Sequence, residues 1–199
     1  MTGVQTCALP IYKIGLRVWL HVDTAFDFHI GVQSGIDGFA HLPGYGMGKD
    51  DEKPYLLDER DVREAARRKI IVNPTAAIAK GYAPDAAILE RVRGIQKRNL
   101  ALLKRHDVSV TIGMDSYGTT AWPEAEYLLG LGVFSLPELL TLWWTTTPQA
   151  IFPGRKIGHL TDGYEASFLV LAKNPLTELV NLKTIALRVK QGNVLVLPN

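Results

Sequence analysis

Four short apolar runs in this sequence each end on a polar side chain able to do chemistry. Leu16–His21 (LRVWLH) ends on His21, Gly38–His41 (GFAH) on His41, Ile70–Asn73 on Asn73 and Val108–Asp115 (VSVTIGMD) on Asp115. Two imidazoles and a carboxylate are a borderline-hard donor set that suits Zn²⁺ or a similar divalent ion. A lone histidine at a strand end is more often structural than a ligand. Three metal-binding residue types at three equivalent positions favour the functional reading. Asn73, Thr75, Ser116 and Tyr117 border the same ends and are candidates for substrate contact. Tyr45 sits in the glycine-rich loop Gly44–Gly48 after His41, which either lines a substrate pocket or is a flexible connection.

These residues need a scaffold that gathers strand ends. In Leu16–His21 the residues Leu16, Val18 and Leu20 alternate with Arg17, Trp19 and His21; in Val108–Asp115 the residues Val108, Val110, Ile112 and Met114 alternate with Ser109, Thr111, Gly113 and Asp115. Period-two patterns of this kind put the two sets on opposite faces of a strand. Between the runs lie helical stretches. Asp58 is a good N-cap for Glu59–Lys69, and Pro84 opens a long helix to His106 with Ile88, Val92, Ile95, Leu102 and Leu103 on its core face. Ser135 and Glu138 form a capping-box signature for a Leu- and Trp-rich helix ending near Pro148, in which Trp143 and Trp144 are packing residues. Strands alternating with helices predict a parallel sheet of βα units, whose sites lie at the C-terminal strand ends. An open doubly wound sheet and a (β/α)₈ barrel both fit the periodicity. After Phe152 the pattern changes to short apolar runs (Ser167–Leu171, Ile185–Val189, Val194–Leu197) punctuated by Gly, Asn and Pro, which predicts a small all-β module.

Composition narrows the function classes. The 22 Lys+Arg nearly balance 20 Asp+Glu, and the resulting +2 charge gives no reason to expect a nucleic-acid partner. The basic runs Arg60–Lys69 and Arg91–Arg105 carry apolar residues at helical spacing and read as solvated helix faces. A single cysteine, Cys7, excludes a disulfide framework within the chain, and that leans toward the cytoplasm. No apolar run reaches the roughly 18 residues that would predict a membrane span. Met1–Ile11 (MTGVQTCALPI) lacks a basic n-region and reads as a non-native leader, like translated adapter DNA. His29 in a crossover, His106 at a helix C-terminus and His159 in a turn are read as structural.

Several segments together resemble the amidohydrolase superfamily. Val18–Val22 (VWLHV), Gly35–Gly44 (GIDGFAHLPG) and Thr111–Ser116 (TIGMDS) are similar to the fifth, sixth and eighth strand motifs of its barrels. Thr145–Phe152 (TTTPQAIF), Ile157–Leu176 (IGHLTDGYEASFLVLAKNPL) and Lys190–Leu195 (KQGNVL) resemble its closing helix and β-sandwich motifs, with Ser167 where Asp is usual. The texture is closest to the imidazolonepropionase- and prolidase-like members. The resemblance implies an α/β fold: the C-terminal half of a (β/α)₈ TIM-like barrel (strands 5–8) over residues 12–152, then part of a small β-sandwich over 153–199.

The resemblance also implies a divalent metal, zinc above others, as one or two ions. His21 and Asp115 would be metal ligands and His41 a second ligand or a site histidine polarising the substrate, with Asp115 and His41 catalytic; Tyr45, Asn73 and Ser116, read from their places in the sequence, are the substrate-binding candidates. The implied activity is hydrolysis of a carbon–nitrogen bond in a small-molecule amide, cyclic amide or dipeptide. A deaminase of the same superfamily and a non-catalytic barrel fragment are the alternatives. The family's first-strand H-x-H pair and strand-four ligand do not occur in the chain and are expected upstream, so the chain alone is expected to be inactive. Neither a nucleic-acid nor a membrane partner is expected, and a homo-oligomer is left open.

Overall fold

A computed structural model describes residues 3–46 and 51–196. It divides into two compact units, Met1–Val133 and Phe134–Asn199. The boundary expected after residue 152 falls inside the second unit.

The first unit is built on three parallel strands, β1 (Trp19–His21), β2 (Gly38–Ala40) and β3 (Ile71–Asn73), in the order β1-β2-β3. The expected fourth strand is reduced to one parallel bridge, Val72 with Val110, closed by Val72 N–H to Ser109 O at 2.8 Å and Thr111 N–H to Val72 O at 2.9 Å. Spatial order therefore follows chain order through four segments, with no reversal of winding. A doubly wound sheet would place a fourth strand beside the first. Among the described residues the fourth segment has a strand neighbour on one side only, so half of the expected ladder from Val108 to Asp115 does not form.

The two faces of this sheet differ. Phe39, Val72 and Val110 point to one side and are buried. That side is covered by α2 (Ala25–Ser34), α3 (Glu59–Arg67) and α5 (Ala86–Arg105), which pack in sequence, α2 on α3 and α3 on α5. Gly31 of α2 lets the helix come down on the Phe39 ring; a Cβ there would lie 2.3 Å from Phe39 Cε1. Thr24 caps α2 in a full capping box with Asp27, Asp58 caps α3, and Asp85 caps α5. On α5 the buried face includes Ile88, Val92, Ile95, Leu100 and Leu103; Leu102 lies half-buried, one step off the stripe. The other sheet face carries Trp19, His21, Ser109 and Asp115, all exposed. Trp19 lies across Gly38, whose missing side chain makes room for the indole.

Further helices complete the first unit. Residues read as a non-native leader lie largely within a helix, α1 (Gly3–Lys13), which packs on α2, and the Tyr12 hydroxyl donates to Gly35 O at 3.0 Å. A helix that the apolar pattern did not announce, α6 (Trp122–Gly130), follows the fourth strand segment and starts with Pro123 in its first turn. The short helix α4 (Ala79–Tyr82) continues a 3₁₀ turn, Ala76–Ile78, after β3.

In the second unit, α7 (Leu136–Thr141) starts on the expected Ser135–Glu138 capping box. The helical run passes Pro148 and ends at Ile151. A π-turn, Leu142–Thr146, leads into α8 (Thr147–Ile151). Proline cannot donate a backbone hydrogen bond. The wide turn lets Thr147 give both its N–H and its hydroxyl to Leu142 O, the latter at 2.7 Å. The following module is one antiparallel sheet, β4 (Phe168–Leu171), β5 (Ile185–Lys190) and β6 (Asn193–Val194). Gln191 and Gly192, both with positive φ, make the tight β5–β6 hairpin. Leu197 of the expected last run lies outside the described residues. No helix among the described residues is long and apolar enough to cross a membrane.

Candidate functional site

The C-terminal ends of the parallel segments bring His21, His41 and Asp115 together. His21 Nδ1 lies 2.9 Å from His41 Nε2, and that same Nε2 is 3.6 Å from Asp115 Oδ2. His21 and Asp115 are exposed on the uncovered sheet face, whereas His41 is buried.

His41 reaches this place through an unusual backbone. In β2, Gly38 and Ala40 point to the uncovered face, so the next residue would point toward the helices. His41 has φ 77°, and this left-handed conformation turns its ring back toward His21. Its other nitrogen, Nδ1, is hydrogen-bonded to the Thr75 hydroxyl at 2.6 Å. Thr75 is itself left-handed, at φ 41° and ψ 39°, an outlier for a β-branched residue. Such conformations cost on the order of 1–3 kcal/mol each and gather at functional sites. The other non-glycine positive φ angles among the described residues have ordinary explanations: Lys69 and Asp107 end helices α3 and α5, and Gln191 makes a hairpin.

Burial lowers the pKa of His41, and His21 beside it lowers it further; Asp115 and Asp23 oppose this. His41 is therefore held toward the neutral form, with lone-pair density available on the ring. Tyr45 packs against it with the rings tilted by 38° and their centroids 4.8 Å apart, and the Tyr45 hydroxyl is pushed up by burial and then by Asp23. Asp23, two residues beyond His21, was not anticipated. Its pKa is raised by burial and by Asp27, and its backbone carbonyl accepts from Gly44 N–H at 3.0 Å.

Asn73 faces Gly113 on the neighbouring segment, where a Cβ would lie 2.7 Å from Asn73 Nδ2. Its Oδ1 is buried without a hydrogen-bond partner among the described residues, a free acceptor at the strand ends. Ser116 and Tyr117 are exposed beyond Asp115. Gly48 of the Gly44–Gly48 loop lies outside the described residues. The structural readings of two histidines have partners: His29 pairs with Asp61 and His106 with Glu59, each at 2.9 Å. His159 packs edge-on against Tyr164.

Sequence reasoning also missed Glu124. Its carboxylate is fully buried and accepts from Ala76 N–H at 2.8 Å and Ala77 N–H at 2.7 Å. Burial raises its pKa to about 7, outweighing the two N–H bonds that favour the charged form. The Trp-Pro-Glu start of a helix was the available signal; nothing local foretold burial.

The donor types suit a divalent metal. With bonds of about 2.0–2.1 Å, two nitrogens on one zinc ion lie roughly 3 Å apart, and the His21–His41 nitrogens meet that spacing. The number of donors falls short: no group of three His, Cys, Asp or Glu among the described residues is arranged to hold an ion.

No protein-family profile and no curated protein sequence matches this chain. Solved structures do. Ochratoxinase from A. niger matches with a TM-score of 0.77 at 17% identity, over 96% of this chain and 44% of its own. An amidohydrolase matches at 0.70 and 20% identity, over 97% and 48%. A Xaa-Pro dipeptidase with methionine bound in its active site matches at 0.69 and 14%, over 96% and 48%. The mixed α/β chain shares its fold with about half of each of these structures. It spans about half the length of the structures it matches.

Proposed function

We propose that this chain is part of a metal-dependent hydrolase that cleaves a carbon–nitrogen bond in an amide, cyclic amide or dipeptide. The observation that carries the reading is the convergence of His21, His41 and Asp115 at the C-terminal ends of a singly wound parallel sheet. The sequential strand order and the one-sided helix cover support half of a (β/α)₈ barrel, with the uncovered face as its interior. The names of the structural neighbours (ochratoxinase, Xaa-Pro dipeptidase, phenylurea hydrolase B) support hydrolysis as the reaction class.

His21 and His41 would contribute two nitrogens to a divalent metal, zinc above others, and Asp115 would join them where ligands from outside the described residues complete the set. Such an ion supplies an activated water near neutral pH. Asp115, half exposed at the mouth, would serve as the general base and then the general acid toward the leaving nitrogen. His41, kept neutral by burial and fixed by Thr75, presents a defined ring edge to the site. The Asn73 Oδ1 acceptor and the Tyr45 ring are the groups nearest to hand for orienting a substrate N–H and its apolar body.

The test is to express the full open reading frame from the source DNA and assay N-acyl amino acids and Xaa-Pro dipeptides. Activity removed by chelation, restored by zinc, and reduced by about 10²–10⁴-fold in D115N is expected. Turnover that survives both chelation and D115N refutes the reading.

A further inference from the structure

Glu124 is a carboxylate in a place where carboxylates are costly. It is fully buried, and both oxygens are spent on the backbone N–H groups of Ala76 and Ala77. Gln96, also fully buried, holds the same turn from its other side by donating Nε2–H to Ala76 O at 3.0 Å. The Tyr127 hydroxyl in turn donates to Gln96 Oε1 at 2.7 Å. This network grips the two residues that follow Thr75. Thr75 is the residue forced into the left-handed region, and its hydroxyl is the partner of His41 Nδ1. A β-branched residue stays in that conformation only where its surroundings over-determine it.

We infer that Glu124 is a positioning residue for the candidate site: its grip on Ala76 and Ala77 sets the left-handed Thr75, and Thr75 sets the ring of His41. The inference rests on the reading of His41 as a site residue. It explains why a fully buried acid occupies a position where its only direct partners given by the structure are backbone amides. A cap for the Ala76–Ile78 turn alone would need nothing from Thr75. The relay needs Thr75 held in one conformation, so that His41 offers one nitrogen to Thr75 and the other to His21 and Asp115.

The experiment is long-range ¹H–¹⁵N spectroscopy of the imidazoles in the 199-residue chain, without metal, where each ring's tautomer is read directly. In E124Q, one of the two backbone N–H groups faces an amide NH₂ instead of a carboxylate oxygen. The His41 ring nitrogens are expected to move toward a mixture of tautomers, as they do in T75V. The E124Q/T75V double variant should match T75V alone, and T75S should keep the native signature. His29 and His106, paired with Asp61 and Glu59, should not change. If E124Q does not fold, E124D, with the charge kept and the reach shortened, is expected to displace the same His41 signals. His41 signals in folded E124Q or E124D that coincide with the native ones, while T75V moves them, overturn the inference and leave Glu124 as a cap. A zinc titration of the same samples tests the metal reading separately: unchanged His21 and His41 signals on adding zinc count against that reading and leave the Glu124–Thr75–His41 relay standing.

Discussion

Replacing Glu124 by glutamine should change the stability of the first unit by an amount that depends on pH. A buried acid whose pKa is raised in the folded protein binds a proton that the unfolded chain has already released. Between an ordinary 4.5 and about 7 the folded state holds that extra proton, so stability falls as pH rises. The contribution is fully present below 4.5 and lost as pH passes 7. At about 1.4 kcal/mol per pH unit, the interval amounts to on the order of 3 kcal/mol. Glutamine has no such dependence, but it leaves one buried N–H facing an NH₂, at about 1–3 kcal/mol. E124Q should therefore be less stable than the native chain at pH 4.5 and equal to it, or more stable, at pH 8. Urea denaturation of both proteins across this range measures the difference. The exposed carboxylates paired with arginine, such as Glu64, pulled down to about 2, act with the opposite sign but are common to both proteins and cancel. A stability difference that stays constant from pH 4.5 to 8, or that moves against glutamine as pH rises, would refute the reasoning. It would mean that the Ala76 and Ala77 amides fully offset burial.

Other predictions follow from the same contacts. G31A drives a methyl into the buried Phe39 ring and should cost about 1–3 kcal/mol; G38A meets the Trp19 indole, which is 37% exposed and free to swing outward, and should cost less. Equal thermal shifts for the two would contradict this packing. The His41 pKa is lowered on folding, so its contribution is present above 6.5 and lost as pH falls; a native chain that loses no more stability than H41N between pH 7 and 5 would count against a buried, neutral His41. In the purified 199-residue chain H21A should weaken zinc binding, because His21 Nδ1 lies 2.9 Å from His41 Nε2; an unchanged zinc affinity would count against His21 as a ligand.

Much of the scaffold was legible because it is written in local patterns. The alternation in Val108–Asp115 separated the buried Val108, Val110 and Ile112 from the exposed Ser109 and Asp115, although Thr111, placed with Asp115 by the pattern, is buried as well. Asp58 and the Ser135–Glu138 pair marked helix starts through hydrogen bonds that span three residues or fewer. Strand lengths were overestimated because pairing depends on neighbours, and the fourth segment has one on a single side among the described residues. The π-turn ahead of Pro148 was missed because proline's lost donor can be met by a wide turn as well as by a helix end.

The site was legible in a different way. Polar residue types at strand ends named His21, His41 and Asp115, and the strand-end rule was enough to bring them into one neighbourhood. What the pattern could not supply is how His41 points. By alternation it belongs on the helix-covered side; a positive φ puts its ring on the other. That angle, and the one at Thr75 that answers it, are set by Asn73 O accepting His41 N–H at 2.9 Å and by Glu124 holding the turn 47 and 48 residues upstream of itself. Both are tertiary contacts between residues far apart in the chain, and Thr75, being β-branched, is a residue that seldom adopts a left-handed backbone. Two strained residues sharing one 2.6 Å hydrogen bond at the converging strand ends make a stronger case for a site than either imidazole does alone. An ordinary packed turn would have placed glycine or asparagine at both positions and avoided the strain.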